Sequence, residues 1–165
     1  MKIITRTTIS NIVLLICFIV VCLAIQATAN DLGLKAYNKG DYATALKVWE
    51  KLAKQGDAGA QYSLGKMYFA GKGVPQDKEK AIKWFTTAAE NGDNFSQYTL
   101  GGIYAEGKGV LQDFVQAYVW YNIAASQGNE TALNARNTAL KNMSPDQVTE
   151  GQKLFKQLYK KIYGK

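Results

Sequence analysis

Ser63 and Lys66 are the first residues whose types and spacing could support catalysis. They form an S-x-x-K motif, and on a helix this spacing places a lysine amine beside a serine hydroxyl that it can activate. Serine enzymes that use this motif also carry S-D-N and K-T-G segments, which are absent from the sequence. Thr99 and Gly102 stand at the same positions 36 residues later, so we interpret the match as a coincidence.

The other reactive residue types do not assemble a catalytic or metal centre. The sequence has no histidine, which excludes Ser-His-Asp and Cys-His nucleophiles and imidazole metal ligands. Its two cysteines, Cys17 and Cys22, both precede residue 25. The Gly-Lys-Gly segments around Lys72 and Lys108 lack the spacing of a phosphate-binding loop, and we interpret them as solvated helix breaks. We predict no catalytic residue, no cofactor and no metal.

Residues 1–29 have the pattern of a secretory signal peptide. Lys2 and Arg6 precede an apolar run of 14 residues, Ile12–Ile25, which is shorter than the roughly 20 residues of a membrane span. Ala27-Thr28-Ala29 supplies a small-x-small cleavage site, so the mature chain is expected to begin at Asn30. We predict a periplasmic or secreted protein, with an uncleaved inner-membrane signal anchor as the alternative.

The charge of the chain gives little support for a nucleic-acid partner. The net charge is +7, and removal of the signal leaves +5. The lysines are spread along the chain and concentrate only in the last 13 residues, whereas nucleic-acid binding requires a clustered basic stripe. The excess of positive charge suits a protein located beside an anionic cell envelope.

An internal repeat is the strongest signal in the sequence. Residues 57–92 (unit 2) align without gaps to residues 93–128 (unit 3), and 17 of the 36 positions are identical. The same period reaches back into residues 30–56 (unit 1), which lack four residues of the Gly-x-Gly-Val segment between the two halves of the later units.

Each unit is predicted to be a pair of helices. Gly65 has no Cβ and would let a neighbouring helix approach the first helix closely. Gly71 is expected to end that helix, and Asp77 to cap the start of the second. Trp84 and Phe85 lie, with three alanines, on the predicted buried face of the second helix.

Residues 129–165 are predicted to cap the array. A helix from about Glu130 to Lys141 is followed by Ser144-Pro145-Asp146-Gln147, the pattern of a capping box with proline in the first turn. The last helix is expected to run to about Tyr163 and to cover the end of the array with its lysines in water. The alternative is a helix that lies on an anionic membrane surface.

The repeated pattern resembles the Sel-1-like repeat, a relative of the tetratricopeptide repeat. Residues 60–92 carry the signature A-x-Y-x-L-G-x-x-Y-x-x-G-x-G-V-x-x-D-x-x-x-A-x-x-W-x-x-x-A-A-x-x-G, and unit 1 is closer to a tetratricopeptide repeat. The resemblance implies an all-α, right-handed α-solenoid of antiparallel helix pairs whose concave surface binds other proteins. One secreted branch of this family is linked to β-lactam binding and carries a cysteine pair in each repeat, which this chain lacks.

The tetratricopeptide alignment places six side chains on the concave face of the first helices. A mostly aromatic track with one cation is formed by Tyr37, Tyr62, Lys66, Phe69, Phe95 and Tyr98. Aromatic side chains bury a large area at low entropic cost and are common hot spots of binding. The alternative for Tyr62 and Tyr98, which are identical between units, is a packing role.

We therefore predict an exported, non-enzymatic helical-repeat scaffold that binds a protein or peptide partner in the envelope or outside the cell. The alternatives are a β-lactam-binding or β-lactamase-like cell-wall protein and a structural module of an envelope complex. Neither the partner nor the oligomeric state can be deduced from the sequence.

Overall fold

Eight helices make up the array. The computed structural model describes residues 6–164, except for the side chains of residues 6–13, 19 and 22–27, and it contains no strand within that range. The helices are α1 (Arg6–Asn38), α2 (Tyr42–Lys54), α3 (Ala58–Ala70), α4 (Lys78–Glu90), α5 (Asn94–Glu106), α6 (Phe114–Ser126), α7 (Glu130–Leu140) and α8 (Pro145–Tyr163). Each helix packs on the next up to α7, and α8 returns to α6. The predicted all-α solenoid is confirmed.

The helix ends lie where the sequence predicts them. The Asp77 carboxylate accepts a hydrogen bond from the backbone N–H of Lys80 at 2.9 Å and caps α4. Gly71 ends α3 in the left-handed conformation, with φ of 67°, which is accessible to glycine at little cost. Ser144 and Gln147 form both hydrogen bonds of the capping box at the start of α8.

The first-helix glycines bring the two helices of each unit into close contact. A Cβ on Gly65 would lie 2.5 Å from the Phe85 ring, and one on Gly33 would lie 2.5 Å from the Trp49 indole. Gly101 faces the Tyr121 ring in the same way. Because real Cβ contacts are longer than this, only glycine permits the observed packing.

The four extra residues of units 2 and 3 form a loop that packs on the preceding unit. Gly73 lies against the side chain of Tyr42, at the start of α2. Gly109 lies against Lys78 at the start of α4, where a Cβ would be 2.9 Å from the lysine Cβ. The loops therefore extend the contact between consecutive units.

A buried glutamine also joins consecutive units. Gln61 donates to the carbonyl of Ala53 at 3.1 Å and accepts from Asn91 at 2.9 Å. Gln97 makes the equivalent bonds to Ala89 and Gln127, at 3.0 and 2.6 Å. Because both glutamines are buried, these bonds satisfy amide groups that would otherwise destabilise the fold.

Trp84, which is predicted to be buried, and Trp120, which stands at the same position of unit 3, differ in their surroundings. Trp120 is 5% exposed within the core formed mainly by α4, α5 and α6. Trp84 is half-buried and packs against both this core and the core of units 1 and 2. The aromatic ring of α4 that is almost fully buried is that of Phe85, at 2% exposure.

Helix α1 runs without interruption through the predicted cleavage site. Leu14, Leu15 and Phe18 are exposed on it. Asn30, the expected first residue of the mature chain, accepts a hydrogen bond from the Trp49 indole N–H at 2.9 Å. Lys2 lies outside the described residues, among which no helix is long and apolar enough to span a membrane.

Helix α8 covers the end of the array, as predicted. It packs on α6, and Gly151 lies against the Tyr118 ring. At its far end Lys161 forms an ion pair with Glu90 at 2.7 Å, and Gln97 donates to the Tyr163 hydroxyl at 3.0 Å. The helix is thereby held on units 2 and 3.

Candidate functional site

A groove crosses the first helices of the three units. It has a volume of about 520 Å³ and is lined by Tyr37, Lys66, Phe69, Ala70, Lys72, Phe85 and Thr99. These residues come from α1, α3, α5, the loop after α3 and the floor that α4 provides. The structure thus brings three residues of the predicted track, Tyr37, Lys66 and Phe69, to one surface.

A smaller notch adjoins this groove on the side of unit 1. Its volume is about 80 Å³, and it is lined by Leu34, Tyr37, Asn38, Trp49, Ser63 and Lys66. Because Tyr37 and Lys66 line both cavities, the notch and the groove adjoin at these two side chains, and the two together are called the depression below.

Ser63 and Lys66 line the same notch, but their contacts are with other groups. The Ser63 hydroxyl donates to the carbonyl of Gly59, four residues earlier, at 2.9 Å. The Lys66 ammonium lies 5.5 Å from the centre of the Tyr62 ring. Neither contact prepares the hydroxyl for proton transfer to the amine.

The two repeated tyrosines of the track pack against the second helices. Tyr62 lies 5.7 Å from Phe85 between ring centres, and Tyr98 lies 5.6 Å from Tyr121. Burial raises the pKa of Tyr62, and it raises that of Tyr121 to about 12. The phenols of Tyr62 and Tyr121 therefore stay neutral at ordinary pH. The ring contacts of Tyr62 and Tyr98 are those that the packing alternative predicts.

The remaining aromatic residues of the track differ in position. Phe69 is half-buried and lies 6.2 Å from Phe85, in the wall of the groove. Phe95 is 67% exposed in the first turn of α5 and does not line the groove. It lies 6.1 Å from Tyr62, so it extends the apolar surface beyond the groove itself.

Three side chains of the predicted track have no counterpart in the other unit. The positions that hold Lys66 and Phe69 in unit 2 hold Gly102 and Ala105 in unit 3, and Phe95 of unit 3 replaces Gly59. The other unit folds with a small residue at each of these positions. The repeat pattern therefore does not specify these side chains.

Lys72 is a groove residue that the sequence pattern did not predict. Lys72 and its counterpart Lys108 stand in the same Gly-Lys-Gly segment of units 2 and 3, and both were expected in solvated helix breaks. The structure places Lys72 in the groove, with its ammonium 5.5 Å from the centre of the Tyr37 ring. The sequence signal that separates the two lysines is the residue two positions earlier, Ala70 in unit 2 and Glu106 in unit 3.

A second, more polar depression lies beside the loop of unit 2. It has a volume of about 700 Å³ and is lined by Tyr68, the segment 74–80 and Gly109. Lys80 donates to the Tyr68 hydroxyl at 2.7 Å, and this hydrogen bond raises the pKa of the lysine. Its lining carries charges of both signs, and the loop contacts between units account for its shape.

The repeats are recognised by a known family model. The model of the Sel1 repeat matches residues 58–93 and 95–129. Two curated relatives share the name "DAP3-binding cell death enhancer 1". The mouse protein is 38% identical and the rat protein 35% identical over 60 residues, which are 36% of this chain. The chain spans about 12% of the length of each relative.

Two solved structures share the fold. One is c5321, a protective antigen of uropathogenic Escherichia coli strains that displays an SLR fold. It aligns over 83% of this chain and 30% of its own, with a TM-score of 0.78 and 30% identity. The other, a Sel1 repeat protein from Oxalobacter formigenes, aligns over 65% of this chain and 45% of its own, with a TM-score of 0.59 and 37% identity.

Proposed function

Because this chain belongs to the Sel1 repeat proteins, we propose that it is an exported, non-enzymatic scaffold that binds a peptide segment of a partner protein in its groove. The observation that carries the proposal is the groove across α1, α3 and α5. Its lining includes Lys66 and Phe69, which the repeat pattern does not specify, since unit 3 has Gly102 and Ala105 in their places. Repeat arrays of this kind commonly bind ligands across several units at once.

A protein partner is supported by the character of Sel1 repeats, which generally mediate interactions between proteins. The mouse and rat relatives are named as binding another protein, DAP3. The groove of this chain is also open and partly apolar rather than a closed cavity, and residues of three units line it, as suits a peptide segment.

The non-enzymatic part of the proposal is supported by the contacts of the one motif that suggested catalysis. The Ser63 hydroxyl is engaged with a backbone carbonyl, and the Lys66 ammonium lies over an aromatic ring. We expect no turnover of the chromogenic β-lactam nitrocefin. Turnover that disappears in Ser63→Ala would contradict this part and favour a β-lactamase-like protein.

Export is proposed from the pattern of residues 1–29. The exposed side chains of Leu14, Leu15 and Phe18 support it, because a helix with such a surface is unfavourable in water and is expected to be removed or held in a membrane. The first residue that follows the predicted cleavage site, Asn30, is hydrogen-bonded to the core. We therefore propose that the processed protein resides in the periplasm or outside the cell.

The binding proposal is tested with a display library of random 12-residue peptides, selected on the protein as processed by the expressing cell. We expect enriched peptides to lose about 30-fold or more in affinity for Phe69→Ala combined with Phe95→Ala, since a hot-spot truncation costs about 2 kcal/mol or more. The far-ultraviolet circular dichroism of this variant should be unchanged.

A second variant tests the groove without removing any contact. A Cβ on Gly102 meets only the Tyr121 hydroxyl, at 3.6 Å, so Gly102→Leu should fold. Because Gly102 lies one helical turn after Thr99, which lines the groove, the leucine should obstruct the groove at its α5 side. Lys83→Ala, on the exposed face of α4, is the control. If the enriched peptides bind Gly102→Leu and the double alanine variant as well as the wild type, the groove is not the binding site.

A further inference from the structure

Two lysines supply all the charge that lines the groove and its adjoining notch. Lys66 lines both cavities, and Lys72 lines the groove. The other lining residues are apolar, aromatic or neutral polar, and none of them is a carboxylate. The depression therefore combines apolar walls with two ammonium groups, an arrangement that complements an anion attached to an apolar ligand.

The repeat contains an internal comparison for Lys72. Its counterpart in unit 3, Lys108, forms an ion pair with Glu106. Unit 2 has Ala70 where unit 3 has that glutamate. In the part of the chain that the structure describes, the only ion pairs are Lys108 with Glu106 and Lys161 with Glu90, so Lys66 and Lys72 have no carboxylate partner there.

Aromatic rings hold both ammonium groups at the walls of the depression. Lys66 lies 5.5 Å from the centre of the Tyr62 ring, and Lys72 lies 5.5 Å from that of Tyr37. The electron-rich face of an aromatic ring attracts a cation at this distance. This contact favours lysine conformations that remain near the groove, which lowers the entropy lost when an anion binds.

An apolar surface lies next to the two cations. Phe69 and Phe85 face each other at 6.2 Å and line the groove together with Ala70. We propose that the groove binds a peptide segment in which an aspartate or glutamate neighbours an aromatic or aliphatic side chain. Lys66 and Lys72 donate to the carboxylate, and the apolar side chain packs on Phe69. This inference rests on the proposed function and specifies the chemistry of the partner.

The test uses the same library of random 12-residue peptides. We expect the enriched sequences to share an acidic residue next to an aromatic or aliphatic one. Lys66→Met combined with Lys72→Met keeps the aliphatic stems and removes both charges, and it should weaken binding of an enriched peptide about tenfold or more. Lys83→Met combined with Lys108→Met removes the same charge elsewhere and should leave the affinity unchanged.

A peptide variant identifies the group that the lysines bind. The enriched peptide with its acidic residue changed to the corresponding amide should also bind about tenfold more weakly. Against the Lys66→Met, Lys72→Met protein this change should have no further effect, because the same interaction is already lost. Raising the salt concentration from 0.05 to about 0.5 M should reduce the affinity of the wild type and leave that of the double methionine variant nearly constant.

Three outcomes would overturn the inference, and only the last of them would overturn the proposed function as well. Enriched peptides that need Phe69 and an open Gly102 but carry no acidic residue would retain the groove and remove the role of the lysines. A second outcome is that no acidic peptide is enriched and that phosphatidylglycerol vesicles bind the wild type but not the double methionine variant. This outcome would assign the lysines to a lipid surface. If no enriched peptide binds Gly102→Leu more weakly than the wild type, the proposed function itself is overturned.

Discussion

Two neighbouring glycines of α5 should respond in opposite ways to the same substitution. Gly101 is buried against the Tyr121 ring, and a Cβ there would overlap the ring atoms. At Gly102 the nearest atom to a Cβ is the Tyr121 hydroxyl, at 3.6 Å, an ordinary van der Waals distance. Both residues lie inside the helix, so an alanine improves the helix propensity equally at either position.

The size of the difference can be worked out from these contacts. Alanine in place of an interior helical glycine stabilises the folded state by about 0.5–1 kcal/mol, and Gly102→Ala should show this gain. Gly101→Ala receives the same gain, but the overlap with Tyr121 costs about 1–3 kcal/mol or more, because the ring must move against α6 or separate the two helices. The two variants should therefore differ by about 1–3 kcal/mol in the free energy of unfolding.

Urea unfolding followed by circular dichroism measures this difference directly. With a slope of about 1–3 kcal/mol per molar urea, the two midpoints should differ by about 1 M. The double variant Gly101→Ala, Tyr121→Leu provides the internal control, since removal of the ring should abolish the penalty of the alanine. If both alanine variants raise the midpoint equally, α5 and α6 do not pack at the distance described, and the repeat register is wrong.

Three further predictions concern burial, titration and processing. Trp120→Ala should lower the free energy of unfolding by about 3–5 kcal/mol and Trp84→Ala by less, because only the first indole is fully enclosed; similar urea midpoints for the two variants would contradict this. Burial raises the pKa of Asp93 above its ordinary value of 3.8, so at a pH between the two pKa values the folded state binds a proton that the unfolded state has released. Lowering the pH toward 3.8 should therefore stabilise the wild type relative to Asp93→Asn. The variant Asp57→Asn controls for the change of a capping residue. The intact mass of the processed protein should lack residues 1–29, and full-length protein in the membrane fraction would instead establish the signal anchor.

The helices and their ends could be predicted because their causes are local. An aspartate three residues before a backbone N–H caps α4, and a glycine that adopts a positive φ ends α3. The close approach at Gly65 was also predictable, because a glycine recurs at this place in each unit. Since glycine lowers helix stability, its recurrence indicates a neighbouring helix that leaves no room for a Cβ. Capping residues and the period of the repeat can both be identified from the sequence alone.

The exposure of Trp84 and the direction of Lys72 could not be predicted in the same way. Trp84 lies where two cores meet, so its burial depends on how consecutive units stack rather than on the pattern of α4 alone. Lys72 and Lys108 occupy the same place in loops that differ only at Pro75 and Leu111, and their different contacts are with a ring of α1 and with a carboxylate at the end of α5. Such contacts appear only when several units are packed together.

The differences between units are therefore more informative about binding than the identities. Gln61 and Gln97, which are identical in units 2 and 3, donate to equivalent backbone carbonyls and are explained by the fold. Lys66 and Phe69 stand where the next unit has glycine and alanine, and both line the groove. Because unit 3 folds with small residues at these positions, the repeat pattern does not specify the larger side chains of unit 2. The larger side chains are free to match a partner, and their charge and shape are the part of this surface that a ligand can recognise.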